Sequence, residues 1–107
     1  MGIQRYAANS ISLDLNTTLA TTPAIPYGSC SGGTIHMPST ASTSPLTFYS
    51  SSTVDGTYVV IHDAADVAVT RTVTVSKAYA MPDECFGCYF VKIVPGVNCT
   101  ITLTLKG

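Results

Sequence analysis

Asn98-Cys99-Thr100-Ile101-Thr102-Leu103-Thr104-Leu105-Lys106 is the stretch that decides the fold. Cys99, Ile101, Leu103 and Leu105 fall on one parity, and Thr100, Thr102 and Thr104 fall on the other. A period of two is the mark of a strand with one face in a core and the other in water. The same parity places Cys99 in the buried stripe, where a thiol packs as a small apolar group.

The pattern recurs upstream. Tyr89, Val91 and Ile93 alternate before the turn dipeptide Pro95-Gly96. Between 67 and 76, Val67, Val69, Val73 and Val75 oppose Thr70, Thr72, Thr74 and Ser76. Arg71 sits on the valine parity, so this strand is expected to bend or change sheet there. Lys77 to Met81 continues as strand until Pro82 stops it. Leu46 to Ser50 reads as a strand with Leu46 and Phe48 on one face, followed by Thr57 to His62. Asp55-Gly56 lies between these two, a pair that adopts the positive φ of hairpin turns. Asp63-Ala-Ala-Asp66 is a further turn. Nearer the start, Ile11, Leu13 and Leu15 alternate with Ser12, Asp14 and Asn16. Thr34 to Met37 follows the flexible pair Gly32-Gly33, and residues 38–45, rich in Pro and Ser, read as a loop. No window carries a helical period. The reading is an all-β chain: a single antiparallel β-sandwich or jelly roll of about six to eight short strands.

The 107 residues fit one domain. With no linker and no repeat of about 20–50 residues, 1–107 is taken as a single β domain. Residues 1–10 form an N-terminal arm with too few apolar residues to order itself. Nothing at the start resembles a secretory leader, and no apolar run nears the roughly 18 residues of a membrane span. The chain is therefore expected to be made and folded in a cytoplasm, with no membrane partner.

Only 10% of residues are charged and the net charge is −1, against about 25% charged in ordinary domains. There is no basic patch for nucleic acid. A surface made polar by Ser and Thr has little repulsion to keep copies apart.

No catalytic constellation emerges, and the protein is read as non-enzymatic, with no catalytic, cofactor or metal site. Cys85-Phe-Gly-Cys88 has the redox spacing, but its flanks are strand-like and lack the βαβ context. Cys30, Cys85, Cys88 and Cys99 are open to three readings: free thiols, disulfides, or a four-thiolate zinc site. His36 and His62 lie on different strands without a third partner. Asp55, Asp63 and Asp66 are turn residues, and Asp14, Asp83 and Glu84 select no glycosidase pair and no calcium loop. Asn16-Thr-Thr and Asn98-Cys-Thr match the N-glycosylation pattern but read as polar strand ends.

Gly33-Thr-Ile-His-Met-Pro38, Leu46-Thr-Phe-Tyr-Ser-Ser-Ser-Thr-Val-Asp-Gly-Thr-Tyr58, Ala78-Tyr-Ala-Met-Pro82, Phe90-Val-Lys-Ile-Val94 and the Thr-rich last strand occur in that order. Together the stretch from Gly33 to Lys106 resembles small virion proteins encoded among tailed-phage head genes. The resemblance implies a capsid decoration or cement subunit on the head surface, partnered by the major capsid protein. With the weak charge, it also implies copies of itself, a trimer before a dimer, with the arm contacting a neighbour. A ligand- or glycan-binding β module, with Tyr27, Tyr49, Tyr58 and Tyr79 as stacking handles, is the alternative. A small hydrolase stands third.

Overall fold

The computed structural model describes residues 9–27, 32–37 and 44–106. Within them the chain forms nine strands: β1 (Asn9–Leu15), β2 (Ile25–Pro26), β3 (Gly32–His36), β4 (Ser44–Ser51), β5 (Val59–Val60), β6 (Thr70–Val73), β7 (Ala78–Ala80), β8 (Phe90–Pro95) and β9 (Cys99–Lys106). Single 3-10 turns occupy Leu19–Thr21 and Asp83–Gly87.

All pairings are antiparallel, and they build two sheets ordered β1-β9-β3-β7 and β2-β8-β4-β5, with β6 also on β4. The order follows one rule. β1 pairs with β9, β2 with β8, β3 with β7, and β4 with β5 and β6. The chain is thus a long hairpin folded over on itself, which is jelly-roll connectivity. The two-sheet antiparallel sandwich expected from the sequence is formed, with this connectivity.

Parity does the sorting. Leu13, Leu15, Ile35, Ile101, Leu103 and Leu105 from one sheet meet Ile25, Leu46, Phe48, Val73, Val91 and Ile93 from the other in one buried cluster. Cys99 is buried with them, as its parity requires. Each such side chain contributes about 1.5–3 kcal/mol relative to remaining exposed, which outweighs the small β propensities that set strand ends.

Several boundaries differ from the sequence reading. β4 begins at Ser44, inside the expected loop, because Ser44 and Pro45 lie opposite Val73 and Thr72. The Ser44 hydroxyl is fully buried and accepts from Gly96 N (2.8 Å) and Val97 N (3.1 Å), tying the β8–β9 turn to the start of β4. Gly32 and Gly33 are strand residues rather than a flexible pair. A Cβ on Gly33 would lie 2.9 Å from Leu105 Cδ2 and 3.1 Å from Met81 Cγ, so a larger residue there would have to push both side chains aside. The β4–β5 connection spans 52–58, and no glycine there has positive φ. Gly56 is needed for room: a Cβ would collide with the hydroxyls of Ser51 and Thr53.

The largest departure is at 57–76, read as two strands but built as one interrupted edge. Ile61 N bonds Phe48 O (2.9 Å), whereas Thr47 lies opposite Thr70. Residues 62–69 therefore leave the ladder as an excursion. Its base is closed by Val69 N to Ile61 O (2.8 Å) and Asp63 N to Val67 O (2.9 Å). Asp63 Oδ1 accepts from Ala65 N and Val67 N at 2.9 and 3.0 Å, and Asp66 turns the tip with φ of 61°. Val67 is consequently exposed instead of buried. Arg71 causes no change of sheet. β6 runs through it, and the chain crosses to the other sheet at 74–77, where Ser76 takes φ of 59° and donates to Met37 O (3.0 Å).

Of the arm expected at 1–10, Asn9 and Ser10 belong to β1. The rest of it, the 38–43 part of the loop and Cys30 lie outside the described residues.

Candidate functional site

Cys85, Cys88 and Cys99 are free thiols. Cys85 is buried in the second 3-10 turn. Burial first, then the neighbouring Cys88 and Glu84, push its thiol up to about 12. A redox or nucleophilic cysteine requires the opposite shift. Burial, with a contribution from Asp14, also raises Cys99. Among the described residues no group of three or more His, Cys, Asp or Glu side chains is placed to hold a metal ion.

The remaining sequence candidates scatter. His36 is exposed on the outer face of the four-stranded sheet, while His62 Nδ1 donates to Val60 O (3.1 Å) on the other. Asp14 accepts from the Thr100 hydroxyl at 3.0 Å. Asn16 Oδ1 accepts from Thr18 N (3.0 Å) and the Thr21 hydroxyl, and Asn98 Oδ1 accepts from Thr17 N (3.0 Å). Both sequon asparagines therefore tie down loops at one end of the sandwich.

The four tyrosines also divide. Tyr27 is fully buried and presents no ring to solvent. The Tyr79 hydroxyl is engaged by Thr74, through its side chain (2.8 Å) and its N–H (3.0 Å), and the side-chain bond is the main cause of its lowered pKa. Tyr49 and Tyr58 both neighbour Lys92. Tyr49 is opposite Lys92 in the ladder, and Lys92 Nζ stands 4.7 Å from the Tyr58 ring centroid. Lys92 also donates to Leu19 O (3.4 Å), which holds the ammonium in place.

One concave feature gathers charge. Where the edge strands β6 and β7 face each other, the two sheets part to leave an open cleft of about 420 Å³. One wall is Asp63, Ala68, Val69, Thr70 and Arg71; the other is Ala80, Met81, Pro82, Asp83 and Glu84. Arg71 is opposite the buried Leu46, so its side chain turns inward between the sheets. Its Nε is buried and has no hydrogen-bond partner among the described residues. An inward charge also protects an edge strand against unwanted pairing. The sequence signal for this site was the arginine on a valine parity, legible as an anomaly but not as a cleft.

No family model, no curated protein and no solved structure matches this chain.

Proposed function

We propose that the protein is a non-enzymatic structural subunit of a virion, a decoration or cement protein seated on a tailed-phage head. Its partners in this reading are the major capsid protein and further copies of itself. The observation that carries it is the outer face of the four-stranded sheet. Ser12, Asp14, Thr34, His36, Ala78, Ala80, Thr100, Thr102 and Thr104 line that face, with one formal charge among them. Hydroxyl and methyl groups can be covered by a neighbour without the cost of desolvating ions. The jelly-roll order is shared with viral capsid domains, and that likeness is one of fold alone.

The test begins with the neighbouring genes, where a major capsid gene alongside is the expected result. Purified protein is then mixed with capsids of that phage stripped of it. Saturable co-sedimentation, abolished by Thr102→Lys on the outer face, supports the reading. A protein that stays in the supernatant at all concentrations defeats it.

A second reading, a glycan-binding module, is favoured by the Tyr49–Lys92–Tyr58 cluster, because jelly rolls also serve as lectins. Signal on a glycan array that vanishes in Tyr58→Ala, without capsid binding, would select it.

A further inference from the structure

The strands at the margins of the two sheets are not equally guarded. β2 is two residues long and contains Pro26, and β5 is also two residues long. β6 turns Arg71 inward, and β7 is three residues long between Lys77 and Pro82. Short length, proline, lysine and an inward charge all discourage a further strand from joining an edge. β1 has none of them. Asn9–Leu15 is seven residues long, without proline, lysine or arginine, and it ends the sheet β1-β9-β3-β7.

The direction of its backbone groups follows from the ladder. Met81 N donates to Gly33 O (2.9 Å) and Met37 N to Lys77 O (2.8 Å), so Gly33 and Met37 face β7. Antiparallel pairs alternate, so Thr34 and His36 exchange bonds with Thr104 and Thr102, while Leu103 and Leu105 exchange theirs with Ile11 and Asn9. Ser10, Ser12 and Asp14 are left pointing their N–H and C=O away from the sheet, and no described residue bonds those groups. The inner face of the same edge is also incomplete: Ile11 packs on the core but is only partly buried.

We propose that β1 pairs antiparallel with β1 of a second copy, about a two-fold axis at Ser12. The strand is self-complementary in that register. Ser12 exchanges two hydrogen bonds with its own counterpart, and Ser10 and Asp14 exchange two each with Asp14 and Ser10 across the axis. On the inner face Ile11 meets Leu13 of the second copy at about 4.5 Å between Cα atoms, which extends the apolar stripe over the uncovered part of Ile11. The other hydrogen-bonding registers are poorer. An axis at Asp14 opposes two carboxylates, and one at Ser10 pairs only residues 9–11 of the strand. The chain's own leading residues are no rival for the edge, because residues 3–8 contain no Gly, Asn or Asp to turn them back along β1. The contact is isologous and closes on two copies, so a dimer takes the place of the trimer expected from the sequence. The inference rests on the self-association in the reading above and needs no capsid.

Cysteine cross-linking on the full chain tests the register. Ser12→Cys places two thiols across the axis, at the roughly 5.5 Å Cα separation that a disulfide spans. With oxidised glutathione the two thiols become a disulfide and the glutathione leaves as two reduced molecules. A covalent dimer is expected, its linked peptide identified by mass spectrometry. Asp14→Cys is equally exposed, but it lies about 14 Å from its counterpart and should not link. Sedimentation velocity gives the second readout, with a wild-type dimer forming at about 1–100 μM. Ser12→Pro removes only an outward N–H, so circular dichroism should show intact strands while association weakens by about tenfold or more. Ser12→Lys opposes two ammonium groups at the axis and should do the same. Thr102→Lys, one strand further in, should leave the dimer intact, so loss of capsid binding and loss of the dimer are separable. A wild type that is monomeric up to about 1 mM overturns the proposal. So does a dimer indifferent to Ser12→Lys, or a disulfide that forms as readily through Asp14→Cys as through Ser12→Cys.

Discussion

Replacing Arg71 by methionine should stabilise the protein, although it removes a charged side chain from a weakly charged chain. Nε of Arg71 is buried without an acceptor, and an orphaned buried donor costs about 1–3 kcal/mol. Methionine keeps an unbranched apolar stem of similar reach, so packing against the neighbouring Val69 and Val73 stripe is largely retained. The net gain is about 1–2 kcal/mol. For a domain near this size each kcal/mol moves Tm by about 4–8 °C, so the variant melts about 4–16 °C higher. Urea unfolding followed by circular dichroism, at concentrations where the chain is dilute, measures the difference directly. Arg71→Lys keeps the charge but lacks the Nε donor, and should fall between the two. If Arg71→Met is neutral or destabilising, Nε carries no such penalty in the fold. The stabilised variant should also aggregate more readily on unfolding, since the inward charge that guards β6 has gone.

Phe48, fully buried at the centre of β4, should cost about 3–5 kcal/mol when truncated to alanine; a loss under 1 kcal/mol in urea would place it outside the core. Ser44→Ala strips the acceptor from Val97 N and one of two acceptors from Gly96 N. It should cost about 1–2 kcal/mol, with no change of m-value. Cys85 keeps its proton in the fold up to about pH 12, whereas an unfolded thiol ionises near 9. Its contribution is thus whole below pH 9 and is lost as pH climbs towards 12, by at most about 4 kcal/mol. Stability measured across that interval should fall in the wild type and fall less in Cys85→Ala; equal slopes would assign the loss elsewhere. In native thiol labelling at neutral pH, Cys88, which is half-buried, should react before Cys85 and Cys99.

Strands whose two faces meet different surroundings were legible in the sequence. β1, β4, β8 and β9 alternate because one parity is packed and the other is wet, and each appeared nearly in place. β2 was not seen, since Ile25–Pro26 is too short for a period and is held by β8 alone. The excursion at 62–69 was missed for a related reason. Val67 continues the valine parity, and what ejects it is the pairing of Ile61 with Phe48 and of Thr70 with Thr47, facts of register that no local pattern contains. The cleft depended on the same long-range geometry. Arg71 marked one wall, but only the crossing at 74–77 brings Met81, Asp83 and Glu84 round to form the other.

The nested pairing has a consequence for how the molecule is made. β9 lies between β1 and β3 in its sheet, yet it follows every other strand in sequence. At about 5–20 residues per second, β1 leaves the ribosome roughly 5–20 s before its partner exists. During that interval the sheet is split, and the ladder edges of β1 and β3 that β9 will occupy stand open to any other nascent chain. The low charge of the chain gives those edges little electrostatic protection. Yield in cells should therefore depend more on chaperone supply and translation speed than on the stability of the finished fold.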